Sequence, residues 1–286
     1  MLRSMTNRRF PAAARNGLIG TALLLAAPVA LADDAPNLLT DPFTLALGTY
    51  IVQSEPTVQL NGEVTTGDKV DFDHALGGGD VTRIRFDGSW RFGDTQKHQL
   101  KTFIFDSSRS RTKTIDQDIE WGGDTYPVDA KVNFKFDFTI IQLAYEYEFL
   151  KRDNYEIGAS AGIHYTQFKS ALSAKASESG GSLETDLHNE GKVNAPLPVF
   201  GLQGTWKLPH DFWVKASGQF FALTIDEYSG DIQNYRGTVT WQPKPWVGVG
   251  LGYDWFKVNV DVTKTNFDGS FDWRYSGPMI YYSASF

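Results

Sequence analysis

The chain has 286 residues, carries a formal net charge of −7 and contains no cysteine. Without cysteine there is no disulfide framework, thiolate metal site, cysteine nucleophile or lipidated cysteine. The acidic balance argues against a nucleic-acid partner, since it repels a phosphate backbone.

Residues 1–32 hold Arg3, Arg8, Arg9 and Arg15 and no acid, then the apolar run GLIGTALLLAAPV at 17–29. Ala30-Leu31-Ala32 supplies a small-x-small cleavage site. The pattern predicts a cleaved secretory signal peptide over 1–32 and a mature chain from Asp33. A run this short falls below the roughly 20 apolar residues a membrane helix needs. Loss of the four arginines lowers the formal charge from −7 to −11.

From residue 43 onward the chain alternates between apolar and polar residues with almost no helical periodicity. Ten strands are predicted, over 43–54, 81–92, 97–108, 136–149, 154–168, 196–207, 212–225, 230–242, 246–260 and 271–286. Connections at 93–96, 151–154, 207–211 and 243–245 are short, whereas those at 55–80, 109–135 and 169–195 are long. A β-sandwich has no reason to collect its tight turns at one end. A transmembrane barrel does, with short periplasmic turns, longer external loops and an even strand count.

The faces agree. Ile84, Phe86, Trp90 and Phe92 share one side of their strand, and Arg83, Arg85, Asp87 and Arg91 the other. In lipid the apolar side faces the acyl chains and the polar side the lumen. Alternation alone does not say which side is out; the leader and the loop asymmetry carry that choice. Trp90, Trp206, Trp213, Trp241 and Trp246 lie near the short turns, as an interfacial aromatic girdle would. The predicted fold is an all-β, antiparallel up-and-down transmembrane barrel over 43–286, most simply ten-stranded, with eight or twelve strands as alternatives. Residues 33–42 form a short periplasmic N-terminal segment.

The sequence ends in GPMIYYSASF at 277–286. Ile280, Tyr282 and Phe286, with Ala284 a weaker match, are similar to the C-terminal assembly signal of bacterial outer-membrane proteins. VTRIRFDGSWRFGDTQKHQL at 81–100 and NAPLPVFGL at 194–202 look similar to runs in a broad set of poorly characterised Gram-negative outer-membrane β-barrel proteins, small monomeric barrels. The resemblance covers nearly the whole mature chain. It implies the bacterial outer membrane, outer-membrane lipid and lipopolysaccharide as surroundings, and the barrel-assembly machinery and periplasmic chaperones as partners in biogenesis. It implies no catalytic residue, and a monomer.

Projected inward, the strands give Arg83, Arg85, Arg91, Lys101, Lys215 and Arg236 against Asp87, Glu146, Glu148, Glu156 and Asp254. Isolated charges are costly in a low-dielectric lumen, so near-balanced signs predict a paired network. Arg91, Lys101, Glu148, Glu156 and Lys215 should sit at one height near the periplasmic end. Above them Phe103, Phe105, Phe138, Phe168, Phe221 and Phe256 take the inward phase, as either a packed layer or an apolar pocket. Phe134, Phe136 and Phe138 fall on the opposite parity to Ile141, Leu143 and Tyr145, which places them inward or above the membrane unless a bulge intervenes.

Three functions are open. One is a plugged or narrowly gated barrel with a structural or small-solute role. The others are an uptake channel for a small hydrophobic ligand, and a surface protein whose long loops contact lipopolysaccharide or a host. Ten strands lie near the side-chain-filled end of the barrel series. No enzyme is expected, and no cofactor or metal. The histidines His74, His98, His164, His188 and His210 form no triad that sequence can show. The nearest approaches are Asp73-His74 and the loop trio Asp186, His188 and Glu190.

Overall fold

The structure, a computed structural model, describes residues 36–62, 65–78, 81–175, 186–225, 228–264 and 267–286. Residues 1–32, expected from the sequence to be a leader, and most of the acidic loop at 175–191 lie outside the described residues.

In chain order the elements are β1 (Phe43–Leu60), β2 (Lys69–Asp71), α1 (Phe72–Leu76), β3 (Val81–Phe92), β4 (His98–Thr114), β5 (Ile119–Trp121), β6 (Asp124–Tyr126), β7 (Lys131–Lys151), β8 (Tyr155–Ala174), β9 (Leu187–Lys207), β10 (Phe212–Ile225), β11 (Tyr228–Lys244), β12 (Val247–Lys264) and β13 (Phe267–Ser285). Ten of these, β1, β3, β4 and β7 to β13, pair antiparallel in sequence order, and β13 pairs with β1. The sheet is therefore a closed ten-stranded barrel, with no edge to expose backbone groups to lipid. At the seam Thr44 lies opposite Ser285, and Phe43 and Phe286 exchange backbone hydrogen bonds of 2.8 and 2.9 Å.

All ten predicted strands are present, but most run further at the long-loop end than expected. β4 reaches Thr114, β7 starts at Lys131 and β8 reaches Ala174. The expected loop at 109–135 is mostly strand plus the hairpin β5–β6, and that at 55–80 includes more of β1, β2 and α1. The cause is a reversal of polarity along the longer strands, clearest on β7. On β7, Leu143 and Tyr145 face outward and are exposed, while Glu146 and Glu148 are buried inward. Nearer the loops Phe134, Phe136 and Phe138 are buried inward, and Lys135 and Asp137 hold the outer face. The register from Phe138↔Phe168 to Tyr147↔Ala159 is unbroken, and the irregularity lies beyond it, between Tyr147 and Leu150. No bulge therefore accounts for the phenylalanine parity. Below the reversal the wall is a lipid-facing barrel; above it, the wall has the polarity of a soluble one.

Leu47, Ile84, Leu143, Leu202 and Leu251 mark the outward belt, each more than half exposed. Trp90, Trp206, Trp241 and Trp246 are exposed near the short-turn end, as a girdle requires. Trp213 is a correction. It is only 1 % exposed and packs with Leu38 and Leu39 inside the mouth. Trp213 shares parity with Lys215, so its phase points inward, and phase overrides nearness to a turn.

Candidate functional site

The lumen is built in layers. At the short-turn mouth, residues 36–42 fold into a compact turn, here termed the strap. The backbone N–H groups of Thr40 and Asp41 both donate to the Asn37 carbonyl at 2.8 Å. Leu38 and Leu39 are buried against Trp213. Arg91 donates to the Leu38 carbonyl at 3.1 Å and Lys151 to that of Leu39 at 2.5 Å, tying the strap to two walls. Asp41 accepts from Ser285 Oγ at 2.7 Å and from the Asn37 N–H at 3.0 Å, and its burial raises its carboxyl above the usual carboxylate range.

Directly above lies the first charged layer. Arg91 pairs with Glu156 at 2.7 Å, Lys101 pairs with Glu146, and Gln99 donates to Glu148 at 2.6 Å. Of the five groups that the sequence places at one height, Arg91, Lys101, Glu148 and Glu156 lie in this layer, together with Glu146 and Gln99. Gly158 makes room for this layer, since a Cβ there would stand 2.5 Å from a Glu148 carboxylate oxygen. Lys215 reaches the same level, but it makes no ion pair among the described residues.

The second charged layer crosses the middle of the lumen. Arg85 binds Asp87 at 2.8 Å and reaches Asp254 at 3.4 Å, while Arg236 contacts the same two carboxylates at 2.9 and 3.2 Å. Tyr50 donates to Asp254 at 3.2 Å, and the Arg85 guanidinium lies 3.8 Å from the Phe103 ring centroid. Two guanidiniums and two carboxylates cancel, which is how a buried charge set becomes tolerable. Arg83 stands apart. It lies where β3 and β4 separate beyond the Arg85↔Phe105 pair, and donates to Ser107 Oγ at 2.8 Å.

Between the two charged layers is a cavity of about 180 Å³. Its wall includes Lys101, Glu146, Ser160, Gln203, Lys215 and Ser217.

Above the second layer the lumen is filled with rings. His164 contacts Gln142 at 2.8 Å and lies with Phe103 at 5.3 Å and Phe256 at 6.4 Å between centroids. Phe105 stacks on Tyr275 at 5.4 Å, Phe168 on Phe271 at 4.2 Å, and Phe138 meets Trp273 at 3.8 Å. Phe105, Phe138, Phe168 and Phe256 are thus part of a packed core, Phe221 sits at its margin, and Phe103 alone of the six borders the cavity below. Phe72 of α1 and Trp121 of β5 close the core from the loop side.

The remaining sequence candidates are scattered. Asp73 pairs with Arg109 at 3.3 Å and His74 lies 3.1 Å from Lys113, so they serve the junction of α1 with β4. Among the described residues no group of three His, Cys, Asp or Glu side chains is placed to hold a metal. His98 and His210 are at short turns, as expected. Ile280 and Tyr282 face outward in the belt, and Phe286 sits at the seam beside Phe43. Sequence reasoning missed Tyr50, Trp273, Tyr275 and the strap. Parity could have found the first three, since Trp273 and Tyr275 share the phase of inward Tyr281.

The closed wall, the outward apolar belt and the filled polar-to-aromatic lumen define an outer-membrane β-barrel of ten strands. No protein-family model and no curated protein matches this chain. Among solved structures, the outer membrane protease OmpT from Escherichia coli is similar in fold. It is 11 % identical, covers 86 % of this chain and 97 % of its own, and gives a TM-score of 0.53. The toluene transporter TbuX of Ralstonia pickettii covers 88 % and 91 % at 11 % identity with a TM-score of 0.37. The attachment protein Ail of Yersinia pestis covers 85 % and 99 % at 8 % identity with a TM-score of 0.33. The first likeness is one of fold alone, and the other two are too loose to carry argument.

Proposed function

We propose that the protein is an integral outer-membrane barrel closed to solute flow, non-enzymatic and monomeric, in which the ring-filled upper lumen is structural. The carrying observation is the ring layer. Phe105, Phe138, Phe256, Trp273 and Tyr275 are buried and linked by ring contacts, and Phe271 joins Phe168 to Phe138, which leaves the cross-section filled by side chains as in small barrels. Above the belt the extended wall, closed from the loop side by α1 and β5, then acts as a rigid stand for the rim, in contact with outer-membrane lipid and lipopolysaccharide. Biogenesis proceeds through periplasmic chaperones and the barrel-assembly machinery, with Ile280, Tyr282 and Phe286 as the recognised stretch.

Single-channel recording of the refolded protein in a planar bilayer tests this reading. No discrete steps are expected from a barrel shown to be folded. Reproducible steps that respond to charge reversal at Arg91 or Glu148 would replace the closed barrel with a gated small-solute pore.

A further inference from the structure

Most charges around the cavity between the two charged layers are in ion pairs; among the described residues Lys215 is the cation in its wall that is not, while Asp41 at the floor and Glu148 in the layer below are carboxylates held by neutral donors. Lys101 is matched by Glu146, Arg91 by Glu156, and Arg85 and Arg236 by Asp87 and Asp254. Asp41, at the floor, is engaged by Ser285 and the Asn37 amide. Lys215 lines the same cavity and makes neither an ion pair nor a hydrogen bond among the described residues. The carboxylates nearest to it, Glu156 and Glu146, are already paired with Arg91 and Lys101, so this ammonium has no direct partner, and an anion arriving there would lower the cost of holding it in a low-dielectric enclosure.

The surroundings suit an anion. Ser217 and Gln219 follow Lys215 on the inward face of β10, and Ser160 and Gln203 border the same space from β8 and β9. These are neutral hydrogen-bonding side chains, able to donate to oxyanion oxygens without adding charge. Gly201 keeps this side open: a Cβ there would stand 2.8 Å from Ser160 Oγ and 2.9 Å from Gln219 Cγ. The volume limits size. About 180 Å³ holds several waters or one small oxyanion, whereas drug-sized ligands occupy roughly 300–1,000 Å³.

Access is one-sided. The ring layer closes the route from the loop end. The floor is the strap, a short segment held by a few hydrogen bonds and two leucines, and so the element that opens at least cost. We propose that this chamber is a binding site for a small oxyanion, of the carboxylate or phosphate kind, admitted from the short-turn end past residues 36–42 and held by Lys215. The site needs no continuous pore and stands whether or not the barrel conducts.

The absence of cysteine makes the test clean. Ser217→Cys places a single thiol in the chamber. The folded variant is treated with two methanethiosulfonates of similar size, one carrying a sulfonate and the other a quaternary ammonium. Rates are referred to those of the unfolded chain. The anionic reagent should be favoured by about tenfold or more, the lower range of electrostatic focusing in a charged cleft. Inorganic phosphate should slow it, Lys215→Met should abolish the preference, and Leu38→Asp should speed both reagents by freeing the strap. Equal rates, preference for the cation, or no labelling even with the strap displaced would each overturn the proposal.

Discussion

Phe138 on β7 and Trp273 on β13 meet across the lumen with ring centroids 3.8 Å apart, although their strands are not neighbours in the wall. Each strand therefore braces a distant arc of the barrel. Trp273 also touches Phe105, Phe136, Phe256 and Tyr275, and is 1 % exposed. Trp273→Ala should destabilise the barrel by about 3–5 kcal/mol, the cost of deleting a large buried ring and leaving a cavity. Urea-induced unfolding in detergent micelles or lipid checks this. Conductance should remain absent in the variant, because the charged layers below still close the lumen.

The central network makes a different prediction. Asp254 is fully buried and is shared by Arg85, Arg236 and Tyr50. Asp254→Leu leaves two guanidiniums facing one carboxylate and should cost about 3–5 kcal/mol, as expected when one partner of a buried pair is removed. Adding Arg236→Met restores the balance of one cation and one anion and should recover part of that loss. A double-mutant cycle on unfolding free energies measures the coupling; strict additivity would show that the groups act independently.

The parts of this molecule differ in how legible they were. Strands and lumen charges could be read because alternation has a period of two and β-strands keep it, so Arg91, Lys101, Glu146, Glu148 and Glu156 carry their phase in their numbers. The upper half of the barrel was hidden because its polarity reverses: Lys135 and Asp137 outside and Phe136 and Phe138 inside resemble the end of a membrane strand rather than its continuation. Trp213 lies close to a turn, as the girdle tryptophans do, but its parity with Lys215 turns it inward. The strap has seven residues and no periodicity, and its role depends on Trp213 and Arg91, far away in sequence. Which rings meet across the lumen depends on barrel stagger, which no single strand encodes.

The reversal itself is testable by moving one charge along the outer face. Leu143→Arg, in the exposed apolar belt, should cost about 2–4 kcal/mol if placed near the bilayer midplane. Asp272→Arg, outward on β13 beyond the belt, should change stability by no more than about 0.5 kcal/mol. Equilibrium folding into lipid vesicles reads both. Equal penalties would mean that the belt and the upper wall share one environment, contrary to the polarity of β7.

The strap should respond to pH through Asp41. Burial raises its carboxyl most strongly, against the opposing hydrogen bonds from Ser285 and Asn37 and the charges of Arg91 and Lys207. Because the docked value lies above the undocked one, the sign is fixed. Below the undocked value, about 3.9 for a solvated aspartate, the group is neutral in both states and docking carries no penalty. As pH rises through the docked value the carboxylate must be held charged in a desolvated site, and docking weakens. Asp41→Asn keeps an oxygen to accept from Ser285 and removes the charge. It should flatten the pH response and tighten the strap at neutral pH. Hydrogen exchange at the Leu39 and Thr40 amides, compared between the two proteins at each pH, measures this directly. Exchange that slows in the wild type as pH rises, relative to the variant, would show that the charged form is the one the docked strap prefers.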